Sequence, residues 1–268
     1  MQVTPSLAAP NGAVLLAGGG RLGPEIFETF VERAGGGEAT IVVIPTAGAD
    51  DEYTEANGLV AGLQSAGAWN LTVLHTRSRE EADSPEFSRA LRQADGVWIS
   101  GGRQWRLVDA YLHTRVHREI LGVLERGGVV GGTSAGASIL ASYLIRGDPA
   151  TNEIVMAPGY EEGFGALEGA AVDQHLFSRG REMDLLEVVE LHPELMGIGL
   201  DEGTALLIEG AEARVLGESR VAIYNIRRDR GPEGEGSLPP PLPFLFLNPG
   251  DRFQLDSHEV VRFQQSDH

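Results

Sequence analysis

The chain has 268 residues and a formal net charge of −18, from 21 basic and 39 acidic side chains. Every basic residue is Arg, and the sequence contains neither Lys nor Cys. That composition excludes lysine Schiff-base chemistry, a Walker lysine, thiol nucleophiles, disulfides, iron–sulfur clusters and Cys-bound zinc. The acidic balance argues against nucleic acid and against an anionic membrane surface as partners. It suits solubility, or the steering of cationic or Arg-bearing substrates.

The length suits one large α/β domain or two small ones. Residues 13–17 (AVLLA) read as a strand entering Gly18-Gly19-Gly20, followed by a helix over 24–34. Strand 40–44 ends in Pro45-Thr46-Ala47, and helix 51–66, strand 71–75 and helix 79–93 come next. Strand 96–100 runs into Gly101-Gly102, then helices are expected near 105–112 and 116–126. Val129-Val130 is a short buried strand before Gly131-Gly132, with a helical pattern over 135–144. Strands separated by helices of this length predict βαβ units and a mostly parallel sheet.

The second half is richer in strand patterns, at 154–157, 170–172, 197–200, 205–208, 213–216 and 221–225, with one helix at 182–191. Residues 227–243, rich in Pro, Gly and charge, read as a mobile surface loop, and 244–247 and 260–263 as final strands. The segment after the loop is too short to fold alone, so residues 1–268 are expected to form a single domain. No apolar run reaches transmembrane length. Residues 1–11 lack the basic start and apolar run of a secretory signal, so a cytoplasmic protein is expected.

Gly132-Thr133-Ser134-Ala135-Gly136 matches G-x-S-x-G between a buried strand and a helical pattern. Small residues there permit the sharp turn that lifts a serine hydroxyl above the sheet. The N–H of Ala135, at a helix start, is placed to bind an oxyanion. The plainer alternative is Ser134 as a helix cap.

A serine nucleophile needs a base. Of the seven histidines, His113 and His117 lie four apart on a polar helix with no accompanying Glu, which favours surface placement over a metal pair. His75 ends a strand, and His258 and His268 lie near the chain end. His175, in Asp173-Gln174-His175, follows a strand pattern on the edge where a base belongs. Asp201 and Glu202, after the apolar run 197–200, both qualify as the orienting carboxylate. An α/β-hydrolase arrangement would instead require His258 as base.

The set Gly131–Ala137 (GGTSAGA), Asp173–His175 (DQH), Ser178–Arg181 (SRGR) and Gly197–Leu206 (GIGLDEGTAL) resembles the cyanophycinase branch of the S51 serine peptidases. Gly18–Gly20, Ile44–Ala47 and Gly101-Gly102 with Gln104 fall where that family carries corresponding segments. The resemblance spans roughly residues 13–225. It implies a three-layer αβα, flavodoxin-like fold related to class I glutamine amidotransferases. It implies Ser134 as nucleophile, His175 as general base and acid, Glu202 as the orienting acid, and Gly102 with Ala135 as oxyanion hole. It further implies hydrolysis of cyanophycin, a poly-aspartate with Arg amide-linked to each side chain, releasing β-Asp-Arg dipeptides. Gln104, Asp173, Gln174, Arg179 and Arg181 would hold the substrate, with no metal or organic cofactor, in a homodimer.

Two positions depart from the family pattern. Arg103 stands where an acid or amide is usual, and is therefore a further candidate contact to substrate. Asp184 stands where a further Arg is frequent. An α-aspartyl or isoaspartyl dipeptidase of the same family, or a non-catalytic binding relative, are the alternatives these departures keep open.

Overall fold

The computed structural model describes residues 11–51, 53, 58–225 and 243–262. From the start, β1 (Ala13–Ala17), α1 (Pro24–Ala34), β2 (Thr40–Ile44), α2 (Gly58–Ser65), β3 (Asn70–Val73), α3 (Arg79–Ala82) and β4 (Gly96–Ile99) alternate as the periodicity predicts. α4 (Gln104–Tyr111), α5 (Arg115–Glu125) and β5 (Val129–Thr133) complete the series. The expected helix over 79–93 is broken: α3 stops at Ala82, and a 3₁₀ segment occupies Phe87–Gln93. Ser84-Pro85 lies between them, and the residue before a proline avoids helical geometry. Of the expected helix over 51–66, residues 52 and 54–57 lie outside the described residues.

β1, β5, β4, β2 and β3 pair in parallel. Side chains alternate between the two faces. Leu15, Ile41, Val43 and Trp98 meet Ile26 and Phe30 of α1 and Val60 and Leu63 of α2. Val14, Val42, Val97, Ile99 and Val130 meet Leu107, Val116 and Ile120 of α4 and α5. Helices on both faces of a parallel sheet define an α/β fold, in which ligands sit at the carboxyl edge of the strands.

The remaining strands depart from a single parallel sheet. After β5 come α6 (Ala135–Ser138), β6 (Ala141–Tyr143), β7 (Leu167–Gln174), α7 (Asp184–Leu191) and β8 (Met196–Leu200). The chain continues through β9 (Thr204–Glu209), β10 (Glu212–Gly217), β11 (Val221–Tyr224), β12 (Phe244–Leu247), β13 (Arg252–Gln254) and β14 (Val260–Val261). β9, β10, β13 and β14 extend the first sheet antiparallel beyond β1, giving the order β14-β13-β10-β9-β1-β5-β4-β2-β3. β12-β11-β8-β7-β6 form a second sheet, whose Leu167, Ala170, Val172 and Ile198 continue the same core that underlies α4 and α5.

The helix expected over 135–144 ends at Ser138. The carbonyls of Ile139, Leu140 and Ala141 accept from Phe164, Leu167 and Gly165, so the chain is drawn into β6 instead. Residues 154–157 are not a strand, while β13 is a strand that the sequence pattern does not predict. Residues 226–242, almost all of the expected mobile loop, and 263–268 lie outside the described residues. No helix among the described residues is long and apolar enough to cross a membrane.

Candidate active site

Ser134 sits between β5 and α6 at the carboxyl edge of the sheet, with φ 54° and ψ −115°. A non-glycine residue in this region is strained, and the surrounding structure must hold it there. Three neighbours do so: the Ser134 N–H donates to the Ala17 carbonyl at 2.9 Å, and its carbonyl accepts from Ala137 at 2.9 Å and Ser138 at 3.0 Å. The hydroxyl is thereby turned toward His175, whose Nε2 lies 2.9 Å from Oγ. Ser134 Oγ also approaches Gln174 Oε1 at 3.4 Å.

His175 follows β7, and its Nδ1 lies 2.5 Å from Glu202 Oε1, after β8. The choice between the two adjacent acids is settled by geometry. Asp201 Oδ1 accepts from the amides of Phe177 and Ser178, and Oδ2 from the Ser219 hydroxyl. Asp201 fixes the turn after His175, leaving Glu202 to meet the imidazole. Burial holds His175 below the usual histidine range, against the upward pull of Glu202; Arg179 and Arg181 press it further down. A neutral imidazole accepts a proton on one nitrogen while donating the other to a carboxylate.

The three-glycine segment after β1 assembles this relay. His175 N–H donates to Gly18 O at 3.0 Å, and Gly203 N–H to Gly19 O at 3.0 Å. A Cβ on Gly19 would stand 2.4 Å from His175 Cε1, and one on Gly20 would stand 2.7 Å from Glu202 Oε2. Gly19 has φ +111°, so glycine is required twice over, for backbone conformation and for space.

Gly102 has φ +149°, and a Cβ there would lie 2.0 Å from the Ala47 carbonyl. That carbonyl accepts from Arg103 N at 2.8 Å and Arg106 Nη1 at 2.9 Å, binding the loop after β2 to the loop after β4. The amides of Gly102 and Ala135 have no partner among the described residues. They are the donors an oxyanion needs beside the serine.

The other expected contacts occupy one side of Ser134, and a cation that the sequence pattern does not single out organises them. Arg146, after β6 with φ 57°, is 1% exposed. It grips Asp173 through Nε and Nη2, both at 3.0 Å, donates to Asp184 Oδ2 at 2.5 Å and to the Asn152 carbonyl at 2.9 Å. Asp173 is fully buried and also accepts from the amide of Gln174. It therefore orients Gln174 through the backbone and is occupied by Arg146 rather than open to the cleft. Asp184, the acid found in place of a frequent arginine, completes the same cluster.

Arg181 is 4% exposed, with Nη1 buried and unpartnered, and Nη2 3.9 Å from Glu153. Burial first, then the neighbouring Arg146, lowers its pKa. Arg179 is exposed. Arg103 caps α4, donates from Nη2 to the Asp148 carbonyl at 2.8 Å, and has a buried, unpartnered Nε. Gln104 is buried, with Nε2 3.4 Å from Ile145 O. Arg103 and Arg181 thus both reach the segment 145–153, which Arg146 closes on itself through the Asn152 carbonyl.

The remaining histidines are engaged elsewhere. His113 pairs with Glu162 at 3.1 Å, while His117 is buried rather than superficial, its Nε2 2.8 Å from Phe164 O. No group of metal-binding side chains occurs among the described residues. His258 stacks on Phe253 between β13 and β14 at the sheet's far edge, remote from Ser134 in the strand order. His268 lies outside the described residues.

Comparison with known proteins gives a consistent result. The model of peptidase family S51 matches residues 14–216. A cyanophycinase of Nostoc sp. is 32% identical over 94% of this chain and 89% of its own length. A probable alpha-aspartyl dipeptidase of Drosophila melanogaster is 29% identical over 72% of this chain and 78% of its own. Among solved structures, a peptidase from an acI-B1 actinobacterium superposes with a TM-score of 0.67, at 22% identity, over 97% of this chain and 99% of that one. A putative peptidase E from Listeria monocytogenes gives 0.56 at 20% identity, over 78% and 99%. The fold is shared with both structures, and by sequence the chain belongs to peptidase family S51.

Proposed function

We propose that the protein is a serine-type peptidase that cleaves aspartyl peptide bonds, with cyanophycin as its polymer substrate. The observation that carries this reading is the unbroken relay from Ser134 Oγ through His175 to Glu202, at 2.9 and 2.5 Å. Ser134 Oγ attacks the scissile carbonyl carbon while its proton passes to His175 Nε2. The amides of Gly102 and Ala135 hold the tetrahedral oxyanion. His175 then gives that proton to the amine as the C–N bond breaks, leaving an ester on Ser134. Water attacks the ester, His175 takes its proton and returns it to Oγ, and the acid departs. Glu202 keeps the imidazole in the tautomer this exchange needs.

Arg179 and Arg181, with Gln174, receive a carboxylate of the acyl half: the branch arginine's own carboxylate in cyanophycin, whose aspartyl side chains are amide-linked, or the free aspartyl carboxylate of an Asp-X peptide. An arginine pair is suited to planar, bidentate recognition of such a group, and Arg181 holds a buried N–H with no partner yet. Arg103 and Gln104 form the wall beside the oxyanion site, and Asp173 acts through Arg146 and the Gln174 amide.

The test is Ser134→Ala incubated with cyanophycin, with β-Asp-Arg quantified by mass spectrometry. The rate is expected to fall by about 10⁴- to 10⁶-fold; release at the native rate refutes the mechanism. The same assay on free Asp-X dipeptides separates the polymer reading from the dipeptidase reading supported by the Drosophila relative. Glu202→Gln sharpens the choice. It should cost several orders of magnitude if Glu202 is the acid, and almost nothing if the acid comes from elsewhere.

A further inference from the structure

On the other face of the sheet from Arg146 and Arg181, a cavity of about 410 Å³ opens beside Ser134. Its walls are Leu22, Phe27 and Leu59, its floor carries Ser100 and Thr133, and Arg21 contributes to its lining. The cavity reaches the catalytic relay directly. Thr133 precedes Ser134, the Cβ position of Gly101 is 3.2 Å from Ser134 Cβ, and that of Gly20 is 2.7 Å from Glu202 Oε2. Its size lies within the range of small-molecule sites. Phe27 is fixed by Trp98 at 5.4 Å between ring centroids, so this wall is preformed. Arg21 is exposed and has no ion-pair or hydrogen-bond partner among the described residues.

We propose that this cavity is the subsite for the residue released as the amine, and that it recognises an aliphatic stem together with a free carboxylate. The inference rests on the aspartyl-peptidase reading above. With the carboxylate of the acyl half held on the Arg181 side, the substrate crosses Ser134 and its amine half enters the opposite cavity. The stem packs on Leu22, Phe27 and Leu59, removing apolar surface from water. The carboxylate meets the exposed Arg21 guanidinium. Two substrates offer this chemistry: a dipeptide, through the side chain and terminal carboxylate of its second residue, and the branched polymer, through the methylenes and free carboxylate of its amide-linked arginine.

The experiment compares kcat/KM for Asp-Leu, Asp-Leu amide, Asp-Gly and the β-Asp-Arg dimer in the native protein, Arg21→Gln and Leu59→Ala. The native protein should prefer Asp-Leu to its amide, and Asp-Leu to Asp-Gly, each by about tenfold, as expected for one charged contact and one small apolar side chain. Arg21→Gln should reduce the acid-to-amide ratio to near one, while Leu59→Ala should reduce the Asp-Leu to Asp-Gly ratio. Because both readouts are ratios within one variant, a partial loss of folded enzyme does not imitate them. If Arg21→Gln also weakens turnover of the dimer, the branch carboxylate is the ligand there; if it weakens only the dipeptide, the terminal carboxylate is. Ratios near one in the native protein, or ratios unmoved by both substitutions, overturn the subsite while leaving the hydrolase standing. No Ser134-dependent cleavage of any of the four would overturn the aspartyl-peptidase reading itself.

Discussion

The two walls flanking Ser134 are built from different physics. On one side, Gly18–Gly20 presses bare backbone against His175 and Glu202, at separations that admit no side chain. On the other, the buried pair Arg146–Asp173, joined by the half-exposed Asp184, forms a charge cluster linking residues 27 and 38 positions apart in the chain. The first wall controls position through close approach and carries no charge. The second satisfies ions withdrawn from water, and its geometry follows from that need. Damage to the first should show chiefly in catalysis, and damage to the second chiefly in stability.

The largest effect on that contrast is expected from Arg146→Ala. It leaves Asp173, fully buried, without its cation. Removing one member of a buried ion pair costs about 3–5 kcal/mol, because the partner's charge remains desolvated. Denaturant unfolding should show a loss of this size. Arg146→Lys keeps the charge but gives up the paired N–H geometry, so it should fall between the two. A loss below about 1 kcal/mol for Arg146→Ala, the scale of exposed pairs, would mean that the cluster does not hold this wall together.

Gly19→Ala tests the other wall. The new Cβ would overlap the His175 ring, at 2.4 Å from Cε1, in a backbone conformation that alanine resists. The imidazole has to move, and a displacement near 1 Å costs about 100-fold in rate. kcat should therefore fall by about that factor, with a smaller loss of stability than Arg146→Ala. An enzyme that keeps its native kcat would show that the Gly19 contact is not what positions His175.

These walls also differ in how far the sequence reveals them. The parallel half of the fold is legible because four of its five strands are short apolar runs ending in Gly, Pro or Ser, separated by helical patterns. Ser134 and His175 can be placed because both follow such strands onto one edge. The choice of Glu202 over Asp201 is not legible from charge or position alone, since it depends on Ser219 and the Phe177 and Ser178 amides claiming Asp201. Arg146 escapes a sequence reading for a similar reason. It follows the stretch 135–144, whose pattern is helical, and nothing local announces acids at 173 and 184. β6 hides inside a helical pattern because Ile139–Ala141 find their hydrogen-bond partners near 163–167. Long-range pairing overrides local periodicity there, as it does wherever short apolar runs fit both elements.

The smallest predicted effect measures how the two walls meet at His175. Burial lowers its pKa, Glu202 on the glycine side raises it, and Arg179 and Arg181 on the charged side lower it. A general base acts only when neutral, so in the proposed mechanism activity is lost as pH falls through the His175 pKa. The acid limb of kcat/KM is expected below 6.5, the ordinary value for histidine. Arg179→Gln removes an exposed positive charge that disfavours the imidazolium, so the limb should move upward in pH. Salt should shrink that displacement, because an exposed charge is readily screened. A limb above 6.5 in the native protein would mean that the Glu202 contact outweighs burial and both arginines together. A limb unmoved by Arg179→Gln would confine the electrostatic influence of the charged wall on His175 to its buried member, Arg181.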